Sequence, residues 1–249
     1  MSEPSRHFTE RTKPGFPSEL PLQSMLRSNI GEMAARLAHQ IRTPLSSTML
    51  YVDQLRADIA VEKRERICEA LSVQLSQTEH LISSMLGFVR GSSGDFERTS
   101  VQSVVDLAVR GCDARINESD ATISVDLNDS DLEVLGDATE LASALGNVIE
   151  NAINARGTEC RIELWAGQVS KKTLLIQISD NGPGIPVDAL EHLFDPFYTT
   201  RANGTGLGLA VLASVVQQHG GTVHAANRVG GGAEFSILLP IFEASEIEQ

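Results

Sequence analysis

The sequence predicts an α-helical hairpin followed by an α/β layer domain. From about Leu20 to Val89, apolar residues recur every three or four positions, the period of helices that pack along a narrow seam. Residues 91–94, Gly-Ser-Ser-Gly, then have the composition of a flexible linker. Beyond them, short apolar or alternating segments typical of strands are interspersed with helical ones. A chain of 249 residues is long enough for two such domains.

Two long helices account for the first domain. Pro44 lies inside the first of them and is expected to bend it, because proline removes a backbone donor. A lone hairpin cannot bury a seam on each helix, so we expect two hairpins to pair as a homodimer with a four-helix bundle. The seam positions are Leu26, Ile30, Met33, Leu37, Ile41, Leu45, Thr48, Val52 and Leu55, then Ile67, Leu71, Leu75, Thr78, Ile82, Met85 and Val89.

The second domain is predicted to mix helices and strands around a glycine-rich segment. The helices are expected over Val101–Ile116, Thr139–Ala155 and from the last glycines to about His219. The strands are expected over Ala121–Leu127, Leu132–Leu135, Arg161–Ala166, Thr173–Ser179, Val223–Ala226 and Glu234–Leu239. The predicted boundaries are a disordered lead-in (1–20), the helical domain (21–90), a linker (91–98), the α/β domain (99–243) and an acidic tail (244–249).

The composition argues against two classes of partner. Acidic residues outnumber basic ones 33 to 20 and give a formal charge of −13, so the chain has no basic excess for nucleic acid or anionic lipid. The longest nearly apolar run, Leu207–Val216, is about half of what a membrane span needs. We therefore expect that the protein binds neither nucleic acid nor a membrane. We also expect it to be cytoplasmic. Cys68, Cys112 and Cys160 form no zinc or disulfide pattern, so a reducing compartment is expected. Each cysteine is expected to be a small buried side chain.

His39 is the candidate reactive residue of the first domain. It lies two positions beyond the seam residue Leu37, or about 200° around a helix, so it is expected to face solvent. A neutral exposed imidazole has a free ring nitrogen that can attack phosphorus. The alternative is an ordinary surface histidine. The other histidines are assigned no function: His7, His80, His192, His219 and His224.

Asn147 and Asn151 are the first candidate ligands of the second domain. They are four residues apart on a predicted helix and therefore share one face. Side-chain amide oxygens are suitable magnesium ligands when phosphate oxygens and water complete the shell. The alternative is an exposed polar pair. The apolar positions of the same helix are expected in the core: Leu141, Leu145, Val148, Ile149 and Ala152.

Asp180, Gly182 and Gly184 directly follow a predicted strand. The glycines let a flat ring approach the backbone, and the carboxylate can accept a hydrogen bond from an exocyclic amine such as that of adenine. A simple turn is the alternative, because such glycine–proline sequences are common turn signals.

Two further segments complete the pattern. Phe194, Phe197 and Tyr198 lie within five positions, which indicates either a loop anchored by its aromatic rings or the stem of a mobile lid. A glycine-rich turn then leads into a helix, where backbone donors favour an anion. Its glycines are Gly204, Gly206 and Gly208.

In order and spacing, residues 24–240 resemble the sensor histidine kinases of two-component systems. The resemblance implies a dimerisation and phosphotransfer hairpin and a Bergerat-type α/β sandwich that binds ATP, as in gyrase, Hsp90 and MutL. It implies that His39 accepts the phosphoryl group and that Asn151, beside Asn147, binds Mg²⁺. It further implies an adenine contact at Asp180. The other implied nucleotide-binding residues are Gly182, Gly184, Thr200, Arg201, Gly204, Gly206 and Gly208.

The resemblance also implies a response-regulator partner. The stretch 31–40 is similar to kinases that serve NtrC-type activators, including those of flagellar regulation. Thr43, one turn beyond His39, matches the residue that aligns water for dephosphorylation of the regulator. A phosphatase-dominant regulator and a nucleotide-gated dimeric binding module are the alternative functions. A gyrase-type ATPase is disfavoured, because that group has a glutamate where Asn147 stands.

Two residues depart from the family pattern. Gln40 occupies the position at which most members have an acid to take the histidine proton, and losing a general base costs about 10²–10⁴-fold in rate. We therefore expect a slower kinase. Asn154 stands where many relatives have a phosphate-facing lysine, so charge compensation is expected from Mg²⁺, backbone donors and Arg201.

Overall fold

The structure of the chain is a computed structural model. It describes residues 30–57, 60–90, 96–129, 131–201 and 204–242. The predicted lead-in and acidic tail lie outside these ranges. Contacts divide the chain into residues 1–37 and 38–249, and the first unit is described only from Ile30, within the first helix. Within the described ranges, no helix combines the length and the apolar composition that a membrane span requires.

Two long helices open the described chain, as predicted: α1 (Ile30–Leu55) and α2 (Val61–Arg90). Helix α1 runs through Pro44 without interruption, and the proline side chain is buried. Apolar residues of both helices remain solvent-accessible, among them Leu45, Met49 and Leu75, at 46%, 70% and 55% exposure. Helices with this much exposed apolar surface are typical of elements that pack against a further partner.

The α/β domain has two layers. Its elements are β1 (Glu97–Ser100), α3 (Val101–Gly111), α4 (Asp113–Glu118), β2 (Thr122–Leu127), β3 (Glu133–Gly136), α5 (Ala138–Arg156), β4 (Arg161–Ser170), β5 (Thr173–Asp180), a 3₁₀ turn (Val187–Ala189), α6 (Gly208–Gln218), β6 (Thr222–Asn227) and β7 (Ala233–Pro240). The main sheet has the order β2-β4-β5-β7-β6, in which only the β2–β4 pair is parallel. Strands β1 and β3 form a separate antiparallel pair.

Alternating side chains place the core on one face of the main sheet. Ile176 of β5 pairs with Ile237 of β7, and both are almost fully buried. Every second residue of a strand points to the same face, so one sheet face is buried while the other is partly exposed. Helix α5 packs against α3 and α6. The apolar α5 positions predicted for the core are all buried, namely Leu141, Leu145, Val148, Ile149 and Ala152. The predicted combination of a helical hairpin and an α/β sandwich is confirmed.

The structure corrects several local predictions. The helix predicted over Val101–Ile116 is broken at Cys112, which separates α3 from α4. Strand β1 was not predicted and begins inside the segment assigned to the linker; its sequence is polar and its conformation comes from pairing with β3. Cys112 and Cys160 are buried as expected, whereas Cys68 is exposed on α2.

Candidate functional site

One face of α5 is the centre of the candidate site. Asn147, Asn151 and Ala155 follow one another at intervals of four residues along this face. A methyl group placed on Gly208, at the start of α6, would lie 3.4 Å from the side-chain oxygen of Asn147. A methyl group on Gly182 would lie 3.8 Å from the Cβ of Ala155. The glycine-rich turn and the loop after β5 therefore meet the same helix face, with Asn151 between them.

The amides on this face are available to a ligand. Asn147 is only 7% exposed, and within the described ranges no hydrogen bond satisfies the side-chain amide of either Asn147 or Asn151. Neither amide is among the fully buried, unpaired side-chain atoms of the described residues, so both reach solvent and can exchange water for a ligand. Two such amides one turn apart fit an oxygen-rich or cationic ligand.

Asp180 ends β5 with one oxygen engaged and the other free. Its side chain is 5% exposed. Oδ1 accepts from the backbone N–H groups of Gly182, at 2.7 Å, and Ala233, at 3.2 Å. Among the described residues, none donates a hydrogen bond to Oδ2. The two backbone donors fix the orientation of the carboxylate and leave Oδ2 as an acceptor for an amine.

The loop that follows Asp180 is braced by Asn227 at the end of β6. Gly184 has a φ of +82°, a conformation that favours glycine. The side chain of Asn227 accepts from the N–H of Ile185 at 2.6 Å and donates to the carbonyl of Ile185 at 2.8 Å. The backbone beside Asp180 is therefore preorganised. Asn227 was not predicted, because it carries no local signal of this role.

Cys160 and Arg228 set the electrostatics near Asp180. Burial raises the pKa of the Cys160 thiol, and the charge of Asp180 raises it further, so the thiol stays neutral beside the carboxylate. Arg228 donates to the carbonyl oxygen of Asp180 at 3.4 Å and to Glu163 at 2.9 Å. The guanidinium thus holds the backbone of Asp180 while its charge is balanced by Glu163. Arg228 was also not predicted.

The aromatic segment and the glycine-rich turn are joined by a backbone contact. The N–H of Phe197 donates to the carbonyl of Gly206 at 2.8 Å. Both residues have positive φ, +68° and +67°, and a side chain on Gly206 would collide with the Phe197 backbone. Thr200 and Arg201 are exposed in the segment that this contact encloses. The rings of Phe194, Phe197 and Tyr198 are half-buried, and closure of this segment over a ligand remains a prediction.

Arg115 of α4 reaches the edge of the same α5 face. Its guanidinium donates to the Asn154 side-chain oxygen at 3.0 Å and pairs with Glu118 at 3.2 Å. Asn154 lies one turn beyond Asn151, so a cation lies beside the position at which many relatives have a lysine. Arg115 was not predicted, since it lies 39 residues away in sequence.

The candidate phosphorylation site lies in α1. His39, Gln40 and Thr43 are all within this helix, as the sequence analysis expects. Their side chains lie outside the described part of the molecule. Their predicted roles, including the exposure of His39, therefore stay predictions.

Two family models match the chain in the order of its domains. The model of the His Kinase A (phospho-acceptor) domain matches residues 29–94. The model of histidine kinase-, DNA gyrase B- and HSP90-like ATPases matches residues 136–243. The first range contains His39, and the second contains the α5 face, Asp180 and the glycine-rich turn.

Curated relatives are similar over both domains. Sensor histidine kinase ZraS of Escherichia coli O157:H7 is 31% identical over 214 residues, which cover 85% of this chain and 46% of that protein. Sensor protein kinase FleS of Pseudomonas aeruginosa is 32% identical over 221 residues, which cover 88% of this chain and 54% of that protein. The chain thus spans about half the length of these relatives.

Solved structures share the fold. The catalytic domain of histidine kinase ThkA matches 59% of this chain and 96% of its own, with 26% identity and a TM-score of 0.55. Mycobacterial sensor histidine kinase MprB matches 59% of this chain and 97% of its own, with 28% identity and a TM-score of 0.53. The structure of ThkA in complex with response regulator protein TrrA matches 91% of this chain and 68% of the matched chain, with 22% identity and a TM-score of 0.69. At this identity the match shows similarity of fold.

Proposed function

Because the chain belongs to the two-component sensor histidine kinases, we propose that it transfers the γ-phosphoryl group of ATP to His39 and from there to an aspartate of a response regulator. One observation carries the proposal. Two unpaired asparagine amides, a half-engaged carboxylate and a glycine-rich helix start lie around one face of α5, within the range matched by the ATPase model.

Each part of this face has a role in binding the nucleotide. Oδ2 of Asp180 accepts from the adenine amino group, while Gly182 and Gly184 keep the wall beside the ring open. The backbone donors of Gly204, Gly206 and Gly208 hold the phosphates at the start of α6. Thr200 and Arg201 contact the phosphates from the enclosed segment, and Arg115 adds a positive charge at the edge.

Asn151, with Asn147 beside it, would hold Mg²⁺. Within the described ranges, no three His, Cys, Asp or Glu side chains are grouped to bind a metal. An amide and phosphate oxygens are together a suitable set of hard ligands. When bound, the ion neutralises charge on the transferring phosphoryl group.

His39 carries the chemical step. The unprotonated ring nitrogen of the neutral imidazole attacks the γ-phosphorus, an N–P bond forms as the bond to the ADP oxygen breaks, and the other ring nitrogen releases its proton to solvent. Gln40 orients the ring by a hydrogen bond but cannot take that proton. In the second step a carboxylate oxygen of the regulator attacks phosphorus and His39 is restored. Thr43 aligns water for removal of the phosphoryl group from the regulator.

The protein acts as a homodimer in the cytoplasm. Four of the predicted seam residues, Leu45, Val52, Leu75 and Ile82, are 46%, 40%, 55% and 42% exposed in the single chain. Pairing of two hairpins would bury them. The regulator, with a receiver domain and of the NtrC-activator class, docks on the bundle below His39. ThkA, which has this fold, forms a complex with the response regulator TrrA.

Incubation with γ-labelled ATP and Mg²⁺ tests the proposal. Wild-type chain and His80→Ala, which removes a histidine of α2, should acquire acid-labile label. His39→Ala should bind ATP with wild-type affinity and acquire none, because His39 and the nucleotide residues belong to different predicted domains. Label that persists in His39→Ala would show that another residue is phosphorylated. If this chain acts mainly as a phosphatase, it should instead acquire little label and rapidly dephosphorylate the response regulator.

A further inference from the structure

His219, directly after α6, is a buried residue that the nucleotide chemistry does not use. It is only 4% exposed. Its Nδ1 lies 2.7 Å from the carbonyl oxygen of Val215, and its Nε2 lies 3.1 Å from the backbone nitrogen of Asp137. A carbonyl can only accept and a backbone N–H can only donate. The ring is therefore neutral, with its proton on Nδ1 and its acceptor at Nε2.

The ring of His219 is enclosed on both sides. The Phe96 ring stacks on it with centroids 4.6 Å apart and planes at 23°. On Gly136, any side chain would collide with the imidazole. Phe96 lies within the segment predicted as a linker (91–98) and directly precedes β1, so this part of the chain contacts the imidazole.

The hydrogen bond to Asp137 joins the two helices that border the nucleotide site. Asp137 is the N-cap of α5, and its carboxylate accepts from the N–H groups of Thr139 and Glu140. His219 ends α6, whose first residue, Gly208, lies against Asn147 in the middle of α5. The two helices are therefore antiparallel neighbours. They are connected at the end where α5 begins and α6 ends, and the nucleotide residues lie toward the other end.

We propose that His219 is a positioning residue that fixes the spacing between α5 and α6 and thereby the gap between Asn147 and the glycine-rich turn. This inference rests on the proposed function. An apolar side chain could fill the volume of the imidazole but could not accept from the N–H of Asp137. That part-buried donor would then lack a partner, and the helix ends would move to hydrate it. Phe96, stacked on the ring, holds the imidazole in place.

Nucleotide affinity of three full-length variants tests the proposal. His219→Leu should bind ATP up to about tenfold more weakly, because nucleotide binding must return the displaced helices to the wild-type spacing. His219→Gln should stay within about threefold of wild type, because its amide oxygen can accept from Asp137. His224→Gln, on exposed β6, is the matched control and should be unchanged. Equal ATP affinity of wild type and a folded His219→Leu would overturn the inference, whereas a wild type that binds no ATP would overturn the proposed function.

Imidazole ¹⁵N spectra of the wild-type chain provide a test that needs no variant. His219 should show the Nδ1–H tautomer with Nε2 accepting a hydrogen bond, both without and with ATP. A protonated or Nε2–H ring would overturn the proposal even if His219→Leu fails to fold. Phe96→Ala should weaken ATP binding in wild type but not further in His219→Leu. Additive losses in the double variant would show that Phe96 acts independently of His219.

Discussion

Asp180→Asn isolates the proposed adenine contact from the stability of the domain. In the wild type, Oδ1 accepts from two backbone N–H groups and Oδ2 is free. An asparagine oxygen can keep both backbone bonds, and these donors force the new NH₂ group into the position of Oδ2. The variant therefore presents a donor to the adenine amino group, which is itself a donor. Asp180→Ala would instead leave both backbone donors unpaired and disturb the fold.

The expected loss follows from the bond that is removed. A hydrogen bond to a charged group contributes about 1.5–3 kcal/mol, so ATP binding should weaken roughly 10- to 150-fold. GTP, which lacks the amino group at that edge, should bind wild type and variant with more similar affinities. Discrimination between the two nucleotides should therefore decrease.

Calorimetric titration with ATP and GTP measures both effects. Asp126→Asn removes the same charge from the exposed edge strand β2, which β4 separates from β5, and serves as the control. Thermal unfolding of each variant verifies that the domain is folded. A folded Asp180→Asn that binds ATP as tightly as the control would refute the placement of adenine at this carboxylate.

Further variants test the phosphate side, the hairpin and the cysteines. Arg115→Gln should weaken ATP binding by about two- to fivefold and AMP binding less, as expected for a partly exposed charge, and equal losses for both would argue against a phosphate contact. Gln40→Glu should accelerate autophosphorylation up to ~10²-fold if proton removal limits the rate, and an unchanged time course would exclude this limit. Thr43→Ala should spare autophosphorylation and slow dephosphorylation of the regulator. Burial raises the pKa of Cys112 to about 11, so iodoacetamide at pH 8 should modify exposed Cys68 in the folded chain and reach Cys112 only after unfolding, as peptide mass spectrometry would show.

Local patterns were sufficient for the features that the chain encodes within a few residues. The helical period predicted the hairpin, and the spacing of Asn147 and Asn151 placed them on one face of α5. The glycine-rich turns could be predicted because Gly184 and Gly206 adopt positive φ. Glycine is favoured at such positions, so they are visible in the sequence. Their proposed roles nevertheless come from the family resemblance, since amides and glycine turns are common in helices and loops without ligands.

The bracing residues could not be predicted, because each acts across a long separation in sequence. Asn227 holds Ile185 from 42 positions away, and His219 bonds to Asp137 from 82 positions away. Neither residue type signals its partner, since an asparagine before a turn and a histidine at the end of a helix are ordinary in isolation. Strand β1 is similar: four polar residues become a strand only because β3 offers a partner.

The cation near the phosphate side shows how a local break and a distant contact combine. From position 154 alone, the loss of a lysine indicates a weaker phosphate site. The predicted uninterrupted helix would have placed Arg115 on a continuation of α3, but the chain turns at Cys112 and α4 begins at Asp113. The guanidinium then reaches Asn154, whose amide oxygen accepts a hydrogen bond and orients it. A lysine at position 154 could not do so, because it is a cation without an acceptor. The positive charge comes from Arg115 of α4, and the amide that orients it comes from α5. The new lysine of Asn154→Lys should therefore repel Arg115, so this variant alone should not bind ATP more tightly than wild type. A gain in ATP affinity should appear only when Arg115 is also replaced.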